Sequence, residues 1–198
     1  MLITPDVTAV ASLLLSRPGA VAAYPTETFY GLGALIHDRA GLGRIVAAKG
    51  RDAARGMIVL VADMAMAAAI ATIDGRQREF LEKVWPGPVS VLLEAVQGPD
   101  PLLAPEGKVA LRISPDALAT ALVRLVGPIT STSANRTGEP PARTADEVKR
   151  QGLDIDAVLE GPRTPGGRPS TLIDLTIWPP ACLREGVVAF ADLLDMIR

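Results

Sequence analysis

Tyr24-Pro25-Thr26-Glu27-Thr28-Phe29-Tyr30-Gly31-Leu32-Gly33 follows an apolar run, Ala20-Val21-Ala22-Ala23, that reads as a buried strand. A strand that runs into a proline, two threonines, a carboxylate and two glycines has stopped building core. It presents polar groups at its end, where α/β folds place ligands. Thr26 and Thr28 can orient a small polar ligand and Tyr30 can wall one side of a pocket, although the same threonines would also suit a turn that bonds its own backbone.

Outward from this stretch, strand and helix patterns alternate. Residues 5–15 carry apolar positions at helical spacing and stop at Arg17-Pro18-Gly19. Residues 29–35 read as a second extended segment and 40–48 as a short helix leading into Lys49-Gly50-Arg51. Residues 57–61 read as a strand, followed by an alanine-rich helix toward Ile73 with Asp63 as its N-cap. A helix over 75–84 ends at Trp85-Pro86-Gly87-Pro88, and a strand over 89–93 follows. Residues 97–107 form a Pro/Gly loop, and 108–113 alternate as a half-buried strand should. Ser114-Pro115-Asp116 opens a helix to about Val126 with proline at its first position. Residues 129–131 form a short strand, and Thr144-Ala145-Asp146-Glu147 reads as a capping box. Short strands over 157–159, 171–175 and 181–183 precede a closing helix over 188–197. Several connections are too short for helical crossovers. The expected fold is therefore α/β, a twisted mixed parallel/antiparallel sheet with flanking helices, in a single domain over 1–198.

Composition narrows the function. The 198 residues carry a formal charge of −2, which gives no electrostatic case for a dedicated nucleic-acid binder. Cys182 is the only cysteine and His37 the only histidine, so thiolate clusters are excluded and a His-based zinc site or Ser-His-Asp triad would have to rest on His37. His37, within Ile36-His37-Asp38-Arg39, reads as part of a solvated turn. No leader pattern or membrane span is evident near Met1, and a soluble, cytoplasmic protein is expected.

The polar candidates fall into clusters. Lys49, Arg51 and Arg55 place three cations around Gly50 and ahead of a buried strand, suited to a triphosphate or carboxylate or simply to a helix C-terminus. Lys108 and Arg112 share one face of a strand with Ala110, so they either bind an anion or form buried salt bridges. Ser131-Thr132-Ser133-Ala134-Asn135 offers more hydrogen-bonding side chains than a turn requires. Gly166-Gly167-Arg168-Pro169-Ser170 and Leu183-Arg184-Glu185-Gly186 add weaker signals. Gly31-x-Gly33 is not completed to a dinucleotide fingerprint, and no P-loop is present. Together the clusters describe a pocket for a polyanion with a small polar co-substrate. They contain no evident nucleophile–base pair.

In this order, YPTETFYGLG, KGR, RGMIVLVAD, WPGPVSVLL, VALRIS and STSANRTGEPPARTADEV resemble the YrdC-like family of threonylcarbamoyl-AMP synthases over nearly the whole chain. The resemblance implies a deep concave cavity and an L-threonylcarbamoyladenylate synthase, a nucleotidyltransferase. Such an enzyme makes threonylcarbamoyl-AMP and pyrophosphate from L-threonine, bicarbonate and ATP, with Mg2+ accompanying the ATP and no metal bound by the protein itself. The product feeds tRNA modification at adenosine 37 through separate transfer proteins, and weak tRNA contact stays open. Carried over by motif, Lys49, Arg51, Ser133 and Asn135 form the catalytic tetrad. Thr26, Tyr30, Arg112, Ser131 and Ser170 are expected around threonine, and Arg51, Arg55, Lys108, Ser133, Pro141 and Arg184 around ATP. Longer members carry a histidine where this chain has Leu60, so its threonine contact cannot be transferred. The second domain of longer members is not expected in this chain. Two alternatives stand beside this reading. One is an RNA-binding module without chemistry, which the net charge and few aromatics disfavour. The other is a carbamoyl-transfer domain of the hydrogenase-maturation type, disfavoured by the single cysteine. Glu27 is left with two readings: charge partner of Lys49 or Arg51, or contact of the threonine amine.

Overall fold

A computed structural model describes residues 1–49, 57–96, 98, 100–136 and 138–197. Arg51 and Arg55 lie outside the described residues. The buried strand of the opening motif is β2 (Ala22–Tyr24), and the chain returns antiparallel beside it as β3 (Gly31–Gly33). These two strands sit in a sheet with β1 (Leu2–Thr4), β8 (Thr132–Ser133) and β9 (Ala157–Leu159), in the order β1-β9-β2-β3-β8. β1, β9 and β2 run parallel, whereas β3 and β8 pair antiparallel.

A second sheet joins β4 (Ile58–Leu60), β5 (Val89–Glu94), β6 (Lys108–Arg112), β7 (Ile129–Thr130), β10 (Thr171–Asp174) and β11 (Ala181–Arg184). Its order is β11-β10-β5-β6-β4-β7, again mixing parallel and antiparallel pairs. The mixed pattern expected from the sequence is therefore present, divided between two sheets. The division falls within residues 129–133, which the sequence suggests as one short strand and its exit. Ile129 and Thr130 pair with β4, Thr132 and Ser133 pair with β3, and Ser131 sits at the crossing. The Ser131 N–H donates to the Ile58 carbonyl at 2.7 Å.

The helices follow their apolar spacing. α1 (Val7–Ser16) starts at Asp6, whose carboxylate accepts from the N–H groups of Thr8 and Ala9. It packs Val10 and Leu14 against Leu122 and Val123 of α5 (Ala117–Val126). α2 (Arg39–Lys49) turns Leu42 and Ile45 into the core and delivers Lys49 at its end. α4 (Gly75–Val84) begins with a reciprocal capping box between Asp74 and Gln77 and stops at Trp85. α6 (Ala145–Arg150) and α7 (Phe190–Ile197) complete the set.

Three local expectations shift. α3 (Met64–Ala68) is shorter than its alanine-rich sequence suggests. The chain leaves the helix because Ala71 bridges to Ala95 and the Thr72 N–H donates to the Glu94 carbonyl, a sheet-edge pairing that overrides helix propensity. Pro115 lies outside α5, since Asp116 takes the N-cap position. At α6, Thr144 accepts from Glu147 N–H, but the Glu147 carboxylate accepts from Arg143 N–H rather than closing a reciprocal box. His37 occupies an exposed turn, as its sequence context suggests. Among the described residues no helix is long and apolar enough to cross a membrane.

Candidate active site

A pocket of about 350 Å³ opens between the two sheets. One wall comes from the opening motif and its neighbour strand: Thr26, Thr28, Phe29, Tyr30, Gly31, Thr132 and Ser133. The other comes from the second sheet, with Ile58, Leu92, Leu172 and Leu183 as apolar lining and Lys108, Arg112 and Arg184 as cations. Lys108, Ala110 and Arg112 all face the pocket, as period-two alternation along β6 requires.

The local folding of the motif explains the wall. Thr26 is buried, donates to the Phe29 carbonyl at 2.7 Å and accepts from Thr28 N–H at 3.3 Å. Its hydroxyl thus shapes the turn that carries Thr26 into the pocket lining. The Tyr30 hydroxyl lies 3.1 Å from the Gly161 N–H that donates to it. Burial raises the Tyr30 pKa, and the hydrogen bond with Gly161 offsets only part of that rise. Tyr30 is therefore a neutral wall residue. Gly31 admits Ser131: a Cβ at Gly31 would stand 3.0 Å from the Ser131 Oγ.

Lys49 is buried at the end of α2. Its Nζ donates to the Ser133 carbonyl (2.8 Å), the Asn135 carbonyl (2.9 Å) and the Asn135 Oδ1 (2.8 Å), and lies 3.2 Å from the Ser133 Oγ. The Ser133 hydroxyl donates to Asn135 Oδ1 at 2.6 Å, and Asn135 Nδ2 donates to the carbonyls of Arg136 and Glu139. Lys49, Ser133 and Asn135 therefore form one hydrogen-bonded cluster, and a buried ammonium stiffens the loop after β8. Of these three, Ser133 reaches the pocket wall.

On the far wall, Ser170 is buried and shares a hydrogen bond with Ser90 at 2.9 Å. Arg184 donates to the Ser170 carbonyl at 2.9 Å and to its Oγ at 3.1 Å. Lys108 donates to Thr176 Oγ1 at 2.8 Å, with Asp174 at 3.9 Å. Arg112 is 4% exposed, and its Nη2 lies 3.5 Å from the Ser131 Oγ. The structure thus brings Thr26, Tyr30, Ser131, Ser133, Ser170, Lys108, Arg112 and Arg184 to one pocket. It does not bring Pro141 there: that residue lines a separate depression with Arg136, Glu139 and Arg150. Leu60 is 1% exposed in the core beside Ile129 and Leu35, away from the pocket lining.

Glu27 has a partner that neither sequence reading named. Its carboxylate stands 3.2 Å from Arg112 Nη1 and accepts a hydrogen bond from the Ser114 hydroxyl. Ser114 closes the VALRIS motif but has no assigned role there, because its hydroxyl matters only once β6 lies beside the opening turn. The apolar lining has no sequence signal either, since Leu92, Leu172 and Leu183 look like any strand residues. Among the described residues no group of three or more His, Cys, Asp or Glu side chains is placed to hold a metal ion.

This arrangement can bind an anion through Arg112, Lys108 and Arg184 while hydroxyls read a small polar group, with apolar walls excluding water. Residues 15–186 match the Sua5/YciO/YrdC family model, described as telomere recombination. The threonylcarbamoyl-AMP synthase of Chromohalobacter salexigens is 41% identical over 170 residues, covering 84% of this chain and 90% of the relative. The crystal structure of P. abyssi Sua5 complexed with L-threonine superposes with a TM-score of 0.91 at 30% identity, over 100% of this chain and 61% of that longer one. E. coli YciO superposes with a TM-score of 0.83 at 25% identity, over 94% and 95% of the two chains. With the family model spanning residues 15–186 and relatives this similar in sequence and fold, the chain belongs to the Sua5/YciO/YrdC family.

Proposed function

We propose that this chain is an L-threonylcarbamoyladenylate synthase. The observation that carries the reading is the pocket between the sheets, where Thr26, Ser131, Ser133 and Ser170 meet Lys108, Arg112 and Arg184, in a chain 41% identical to a threonylcarbamoyl-AMP synthase. In this reading the threonine amine attacks bicarbonate, water leaves, and a carbamate forms. A carbamate oxygen then attacks the α-phosphorus of ATP and pyrophosphate departs, giving threonylcarbamoyl-AMP. The reactants are all anionic, so the cations offset their repulsion and align them. No covalent enzyme intermediate is required.

Arg112 receives the amino-acid carboxylate, with Thr26, Tyr30, Ser131 and Ser170 around the rest of the molecule. Lys108, Ser133 and Arg184, with Arg51 and Arg55, take the nucleotide side. Lys49, Ser133 and Asn135, joined in one hydrogen-bonded cluster, are the catalytic set together with Arg51. Mg2+ would arrive on the triphosphate, the usual way that ion is held in nucleotide sites. The adenylate would pass to separate proteins that modify tRNA at adenosine 37, in the cytoplasm, and residues 1–198 would act as one YrdC-like domain. The test is pyrophosphate release by the purified chain with MgATP and bicarbonate. Release is expected only when L-threonine is added. A folded, ATP-binding sample that releases none overturns the proposal.

A further inference from the structure

We propose that Glu27, itself held by Ser114, is a positioning residue that decides which edge of the Arg112 guanidinium faces the pocket. The inference rests on reading the pocket as a site for an amino-acid carboxylate.

Arg112 is almost fully buried at the end of β6, and a buried guanidinium requires a counter-charge. Glu27 supplies it at Nη1, 3.2 Å away, in a charge contact without hydrogen-bond alignment. The Nε/Nη2 edge is different. Nε has no hydrogen-bond partner among the described residues, and Nη2 has the Ser131 Oγ at 3.5 Å, the outer limit of a hydrogen bond. That edge presents two parallel N–H groups, the fork that receives a carboxylate bidentately. Glu27 thus neutralises Arg112 from one corner and leaves the Nε/Nη2 edge, on the side of the pocket-lining Ser131, under-occupied.

Glu27 is not among the residues lining the pocket, so it acts through Arg112 rather than on a ligand. Its other oxygen accepts from the Ser114 hydroxyl, and that hydroxyl accepts in turn from the Asp116 N–H at 3.1 Å. Asp116 is the N-cap of α5. A chain of contacts therefore runs from a rigid helix start, through Ser114 and Glu27, to the side chain that meets the ligand. Such a chain holds a long, rotatable arginine in one orientation before the ligand arrives, which preserves binding free energy otherwise lost to ordering.

Two roles for Glu27 predict opposite signs. If it only neutralised charge, its removal would leave a more positive pocket and tighten threonine binding. If it positions Arg112, its removal weakens threonine binding. The full chain should be compared as wild type, Glu27→Gln, Glu27→Asp and Ser114→Ala, by calorimetric titration with L-threonine and with MgATP and by threonine-dependent pyrophosphate release. Glu27→Gln is expected to raise the threonine Kd and KM about tenfold, with kcat reduced less and ATP affinity held within about twofold. Glu27→Asp should recover part of the loss, and Ser114→Ala should show a smaller rise of the same sign. Unchanged or tighter threonine binding by Glu27→Gln overturns the proposal, as does an equal loss toward ATP. If Glu27→Gln does not fold, Ser114→Ala decides: an unaltered threonine Kd overturns the proposal. A wild type that binds no threonine removes this proposal together with the assigned function. A threonine-dependent wild type with an indifferent Glu27→Gln removes this proposal alone.

Discussion

Gly33 shows what a single residue contributes to the opening motif. A Cβ there would stand 2.6 Å from the Tyr24 ring and 3.2 Å from the Thr130 carbonyl. The absent side chain leaves a notch on β3 in which the Tyr24 ring lies, with its hydroxyl donating to the Thr130 carbonyl at 2.6 Å. Complete burial drives the Tyr24 phenol well above its ordinary pKa, so it remains a neutral donor at any working pH. The two glycines of YGLG therefore serve close packing of strand on ring, not a phosphate turn. Gly33→Ala is expected to destabilise the fold by about 1–3 kcal/mol through overpacking, read as a lower midpoint in chemical denaturation. Gly43→Ala is the control: nothing lies within 4 Å of a Cβ there, and alanine should stabilise α2 by up to about 1 kcal/mol. The glycines were legible as signals in the sequence. Their reason was not, because the ring they accommodate is on the neighbouring strand.

At the scale of the element, α5 links packing to the site. Its Leu122, Val123 and Val126 face the core with α1, and its N-cap Asp116 accepts from Leu118 N–H at 3.0 Å and Ala119 N–H at 2.9 Å. Asp116→Ala should cost about 1 kcal/mol, measurable as a denaturation shift, by leaving those donors unpaired. Helices of this kind are readable from sequence, since period and cap are local properties. Strand identity was equally readable from the apolar runs. Where a strand pairs was not: residues 129–133 carry no mark of the division between two sheets, and residues 70–72 carry none of their pairing with 94–96. Pairing is decided by partners far away in the chain.

Across the whole molecule, Asp156 joins distant parts of the first sheet. It accepts from Val21 N–H at 2.9 Å and pairs with Arg44 at 2.6 Å and Arg17 at 3.0 Å. Burial alone would raise its pKa, but the Val21 hydrogen bond and the Arg44 guanidinium outweigh that and hold it below the ordinary value of 3.8. A carboxyl with a depressed folded pKa stabilises the fold above its unfolded pKa, and that contribution is lost as pH falls through the folded value. Stability should therefore decline below about pH 4, and Asp156→Asn should flatten that acid limb while costing about 3 kcal/mol at neutral pH. Denaturation midpoints measured across pH for both proteins test this. Local sequence determined the helices with their caps, the apolar strands, and the polar stretches at their ends, because propensity and periodicity act within a few residues. Only the tertiary structure decided that Glu27 meets Arg112 and Ser114 instead of Lys49, that Lys49 closes on Ser133 and Asn135, and that Pro141 stands apart from the pocket. A charge takes the partner that strand register sets beside it, and register is fixed by burial over the whole core, not by neighbours in sequence.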